Sequence, residues 1–108
     1  MVTAQQIQTG VQLAKLASID MYNKMGRQDQ YACGFAWVDV YVDRTNSKQA
    51  KELIAAGFKK DYKPKCLSFW NPGNLPVQNI DIKEAGADAM AVYLKSLGLT
   101  AYSGSRLD

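Results

Sequence analysis

A carboxylate set between two large rings is the arrangement in this chain that most invites chemistry. Asp39 stands two residues from Trp37 and two from Tyr41, inside the run ACGFAWVDVYVD at 32–43. Residues two apart in an extended strand point the same way, so all three share one face. An acid on an aromatic surface could transfer a proton or meet a cation or a ligand hydroxyl. Equally, it is an ordinary edge or solvent-facing strand residue. A second group is Phe69, Trp70, Asn71 and Pro72, a large ring followed by a side-chain amide where a strand should end. Such ends often carry sites, but an aromatic core residue followed by a turn-forming Asn-Pro reads the same way. Arg44, in the polar turn after the first run, completes the candidate binding set of Trp37, Asp39, Tyr41, Arg44, Trp70 and Asn71.

Other chemistry is poorly supplied. Asp81 and Glu84 have the spacing of a capping box, which accounts for both without catalysis. A helix start attracts anions, yet Asp81 already brings negative charge there, which disfavours phosphate. The chain has no histidine, Walker A loop, GxSxG, HExxH or dinucleotide-binding glycine pattern. Cys33 and Cys66 belong to no metal-spaced group and read as two buried thiols, each in a strand, kept reduced in an intracellular protein. No catalytic residue, metal ligand or cofactor is therefore assigned.

The elements that must position these residues follow from periodicity. In 32–43 the residues Ala32, Gly34, Ala36, Val38, Val40 and Val42 form a small apolar face suited to close helix packing. Thr3 and Gln6 form a capping box that opens a helix over 4–25, with Ile7, Val11, Ala14, Ser18, Met21, Tyr22 and Met25 on its inner side and Gly26 as stop. Leu13, Leu16 and Ile19 broaden its apolar surface. Residues 27–30 form a polar connector. Asn46 and Gln49 predict a capped helix over 47–56, ended by Gly57. Residues 58–64 fit a short strand or a loop, and 66–70 a strand. The stretch 71–81 reads as an irregular loop that could carry binding groups. From Asp81 a third helix should run to Gly98, burying Ile82, Ala85, Ala89, Val92, Tyr93 and Leu97 with Gly86 beside them. A short strand over 99–103 and a polar tail complete the chain. The expected fold is α+β: a two-layer sandwich of order αβαβαβ, with a small three-stranded mixed sheet and helices on one face.

With 108 residues, 47% hydrophobic and 21% charged, the chain is expected to form one domain. No apolar run reaches the roughly 18 residues that a membrane span needs, and the first residues lack a secretory pattern, so a cytoplasmic protein is expected. The net charge of +3 is mild. Lys59, Lys60, Lys63 and Lys65 cluster, but they fit a solvated loop guarding an edge strand better than a nucleic-acid-binding signature.

The strings CGFAWV at 33–38, WNP at 70–72, DIKEAGADA at 81–89 and the terminal SRLD resemble small uncharacterised proteins carried in bacteriophage genomes. The resemblance implies a setting, a phage accessory protein in the host cell cytoplasm. It transfers no functional residue. The expected function is binding of a host protein or small ligand through the aromatic strand face and the 71–81 loop. The alternatives are a small carboxylate-dependent or nucleotide-handling enzyme using Asp39, or a minor virion or assembly component. A homodimer is expected, because a sheet covered on one side leaves its aromatic face in need of protection.

Overall fold

The computed structural model describes residues 1–29 and 32–108. Gln30, the last residue of the expected polar connector, lies outside them. The run around Asp39 is the central strand, β1 (Gly34–Tyr41). It pairs antiparallel with β3 (Cys66–Trp70) on one side and with β4 (Thr100–Leu107) on the other, and β2 (Lys59–Lys60) pairs antiparallel with the outer side of β3. The sheet is thus four-stranded and wholly antiparallel, in the order β2-β3-β1-β4. This corrects the expected three-stranded mixed sheet. The extra strand forms where Gly57, at a φ of +116°, reverses the chain so that Lys59 and Lys60 lie against Ser68 and Leu67.

Three helices complete the order αβαββαβ: α1 (Ala4–Lys24), α2 (Lys48–Ala55) and α3 (Ile80–Ser96). From β1 onward this is a split βαβ arrangement with a helix added in front. Ala36, Val38 and Val40 are fully buried in one core with Ile7 and Val11 of α1, Leu53 of α2 and Met90 and Leu94 of α3. The small-residue face of β1 therefore meets the helices, as its composition predicts. The opposite face carries Tyr41, Trp70 and Tyr102, which are 38%, 51% and 52% exposed.

Local signals placed the helices well and their caps less well. The Thr3–Gln6 capping box is present, with the Gln6 amide donating to Thr3 Oγ1 at 3.2 Å and the Thr3 amide donating to Gln6 Oε1 at 2.9 Å. For α2 the cap is Ser47, not Asn46, and Gln49 instead bonds both backbone groups of Val2, fastening the N-terminus to α2. For α3 the cap is Asn79, not Asp81, which corrects the capping-box reading of Asp81 and Glu84. The helix starts early because the loop before it is tied elsewhere: the Asp29 carboxylate accepts from the amides of Gln78 and Asn79, and the Ile80 amide donates to Ala32. Glu84 instead accepts from the Ser105 hydroxyl of β4 at 2.6 Å.

The buried side of α3 is also turned from the expected one. It runs through Ile82, Gly86, Ala87, Met90, Ala91 and Leu94, while Val92 is 66% exposed. The cause is that α3 packs on two neighbours, the sheet beneath and α1 beside it. Gly86 meets Ser18 and Ala14 of α1, not the central strand. The expected polar tail after residue 103 instead forms half of β4, where Gly104 lies under the Trp37 ring. A Cβ at Gly104 would sit 2.6 Å from the indole, so the ring occupies the room that a side chain would need.

Candidate functional site

Strand register assembles the uncovered face. Trp37 lies between Trp70 and Gly104, Asp39 between Ser68 and Tyr102, Tyr41 between Cys66 and Thr100, and Phe35 beside Arg106. Trp37 and Trp70 stack with centroids 4.9 Å apart and planes 28° apart, and Phe35 meets Trp70 edge-on at 6.1 Å. Tyr41 and Tyr102 form a second edge-on pair at 6.0 Å. Cross-strand aromatic pairs of this kind stabilise a sheet and leave flat apolar surface on its outside.

Asp39 separates the two aromatic groups. It is neither an edge residue nor solvent-facing, but 7% exposed in the central strand. Its Oδ1 accepts from the Ser68 hydroxyl at 2.6 Å, and its Oδ2 accepts from the Lys63 ammonium at 2.6 Å and the Trp37 indole at 3.3 Å. Lys63 also stands 3.6 Å from Asp61. The hydrogen bond to Asp39 holds the Lys63 ammonium well above its ordinary range, overcoming the burial that opposes it. Burial raises the Cys66 thiol, and the nearby Asp39 charge raises it further. Tyr41 is raised by partial desolvation on the sheet and then by Cys66.

Asp39, Asp61 and Cys66 bring three possible metal-ligand atoms within 4.8 Å of one another. The Lys63 ammonium, in contact with Asp39 and close to Asp61, already supplies the positive charge there. The cluster is therefore read as an ion-paired sheet support. Two hollows flank Trp70. One of about 390 Å³ is lined by Gly57, Lys59, Lys60, Asp61, Ser68, Phe69 and Trp70. The other, of about 120 Å³, lies among Trp37, Asp61, Tyr62, Lys63, Ser68, Trp70 and Arg106.

Of the residues singled out from sequence, Trp37, Asp39, Tyr41 and Trp70 come together on this face. Arg44 does not: it lies in the turn beyond the Tyr41 end of β1, where its carbonyl accepts from Ser47. Asn71 directs the chain away, with a φ of +48°, its amide on the Ala36 carbonyl and its own carbonyl accepting from Asn74. The loop it opens buries Pro72 and Gly73, with Gly73 against Ser18 in the helix layer, so this part of 71–81 leaves the aromatic face. Alternation along β1 already puts Phe35 on this face, whereas sequence reasoning missed Lys63, Ser68, Tyr102 and Arg106. Alternation along 66–70 and 100–107 would have found Ser68, Tyr102 and Arg106. Lys63 carries no local signal, since it reaches Asp39 across 24 positions of chain. Comparison with family models, curated proteins and solved structures gives no match.

The cysteines depart from expectation in one respect. Cys66 is buried in β3, but Cys33 is exposed just before β1, where it forms an isolated bridge with Asn79. At mildly alkaline pH a thiol reagent is expected to modify Cys33 readily and Cys66 only on unfolding, because burial shields Cys66 and disfavours its thiolate. Mass spectrometry of the labelled native protein checks this. Rapid double labelling would mean that β3 opens easily.

Proposed function

We propose that the protein is a binding protein that works through the open face of its sheet. The observation that carries this reading is the Trp37–Trp70 stack, in which the Trp70 ring is 51% exposed with no element of the described residues covering it. Half-exposed aromatic rings beside fixed polar groups are the usual makings of a recognition surface. Asp39 supports binding over catalysis, because its oxygens are already engaged by Ser68, Lys63 and Trp37. A general acid or base must reach the proton that it moves. The phage-infected bacterial cell implied by the sequence strings is part of this reading. Among the described residues no helix is long and apolar enough to cross a membrane.

Self-association is a second part of the proposal. Leu13, Leu16 and Ile19 lie on the outer side of α1, at 38%, 64% and 44% exposure, as a second apolar surface. Sedimentation of the protein at high concentration measures it, and a monomer would remove it.

The double variant Trp70→Ser with Tyr102→Ser tests the main reading. Both rings are about half exposed, so the fold is expected to survive with a loss of about 1 to 2 kcal/mol. Native mass spectrometry and pull-down from bacterial lysate are expected to show wild-type associations that the variant lacks. A collapsed melting transition would make these rings structural. Identical associations for both proteins would take the site off this face.

A further inference from the structure

We propose that the open face binds single-stranded nucleic acid, with an unpaired base stacked on Trp70 and neighbouring phosphates met by Lys59 and Arg106. The inference rests on the reading of this face as a binding surface and names its partner class. Along the sequence Lys59 and Lys63 stand in one lysine cluster and Arg106 lies 43 residues beyond Lys63. In the fold, Lys59 sits opposite Ser68 on the adjoining strand, Lys63 lies over Asp39, and the Arg106 guanidinium lies 5.4 Å from the Phe35 ring centroid. Among the described residues neither Lys59 nor Arg106 forms an ion pair, and the charge of Asp39 is met by Lys63.

Flat rings on the two central strands of an uncovered antiparallel sheet, rimmed by cations, match the needs of an unpaired strand. Every base has a π-face to stack, and every linkage carries a negative charge. The face also has length. Trp37 and Tyr41 are four residues apart on β1, about 13 Å at strand rise, so the Trp37–Trp70 and Tyr41–Tyr102 groups lie too far apart for one nucleotide to span. A strand of several nucleotides can touch both. A duplex buries its base faces, so it offers Trp70 nothing to stack on.

Fluorescence anisotropy with a labelled oligothymidylate of about a dozen nucleotides tests the proposal, with a duplex of similar length beside it. Micromolar binding is expected near 50 mM salt. It should weaken roughly ten-fold by 200 mM if two or three phosphates are contacted. Trp70→Ala should weaken it roughly 5- to 150-fold while the protein still melts cooperatively. Arg106→Gln, at an exposed position, should make the salt dependence shallower by about 0.7 in logarithmic slope. Absence of binding at low salt, equal affinity for the duplex, or indifference to Trp70→Ala would each overturn the proposal. If the oligonucleotide fails while a protein or small-ligand association still depends on Trp70, only the nucleic-acid assignment falls. If nothing depends on Trp70, the binding-face reading falls with it.

Discussion

Gly86→Val is expected to remove roughly 3 kcal/mol or more of stability, a large share of the 5 to 15 kcal/mol that holds a domain together. Propensity alone says the reverse, since glycine inside a helix is about 1 kcal/mol worse than alanine. Packing decides the sign. A Cβ at Gly86 would lie 2.5 Å from Ser18 Oγ, 3.1 Å from the Ala14 carbonyl oxygen and 3.1 Å from Gly73 Cα. Two of these three atoms are backbone and cannot swing aside, and Ser18 is held by its 2.8 Å bond to the Ile82 carbonyl. Accommodating valine means spreading α1 from α3 along their closest approach. Urea unfolding should show a much lower midpoint. The milder pair Gly86→Ala with Ser18→Ala should recover part of the loss of Gly86→Ala alone, because the two sites share one contact. A midpoint at or above that of the wild type would mean that the helices separate easily and propensity governs.

Lys63→Met is expected to destabilise the protein by about 2 to 3 kcal/mol at neutral pH. Breaking a buried ion pair from one side costs about 3 to 5 kcal/mol. Here the loss is reduced because Asp39 keeps its bonds to Ser68 and Trp37, and because the Lys63 side chain is already 31% exposed. The Asp39 side chain is only 10% exposed, so its charge has little water to turn to. Adding Asp39→Leu to the variant should restore much of the loss, since no buried charge then remains.

The pH dependence has a definite sign. Lys63 is raised in the folded protein, so its contribution is complete below the unfolded value near 10.4 and is lost only as pH climbs through the higher folded value. From neutral pH up to about 9 the Lys63 ammonium leaves wild-type stability flat. In Lys63→Met the deficit should therefore be the same at any pH from neutral to about 9, where the wild-type ammonium keeps its full contribution. Unfolding curves at about pH 7 and about pH 9 check this. A double variant no better than the single would mean that Lys63 acts through its aliphatic stem alone.

Much of this architecture is legible in local pattern. Alternation marks 34–41 and 66–70 as strands and names the face of β1 that meets the helices. The Thr3–Gln6 box opens α1 where it begins, and Ile7, Val11, Ala14 and Ser18 line its buried side, while Met21, Tyr22 and Met25 of the same stripe are half-buried because the end of the helix runs past the core. These readings succeed because a strand face, a helix stripe and a cap depend on residues within a few positions of one another. Asp81 with Glu84 shows the limit of such reading. Their spacing is right for a cap, yet Asn79 takes that role because the distant Asp29 and Ala32 bind the preceding amides.

The sequence by itself determined the α+β class, the central place of the run around Asp39, the approximate helix spans and the set of rings on one side of β1. Only the tertiary structure decided that the sheet is wholly antiparallel, that the chain after Ser103 is strand, that Asn71 and Arg44 lie away from the aromatic face, and that Lys63 neutralises Asp39. The physical reason is the range of the interactions. Alternation, capping and propensity act over one to four residues, whereas strand partners, the turned face of α3 and the Lys63–Asp39 pair arise between residues 7 to 73 positions apart, brought together only when the helices bury the small-residue face.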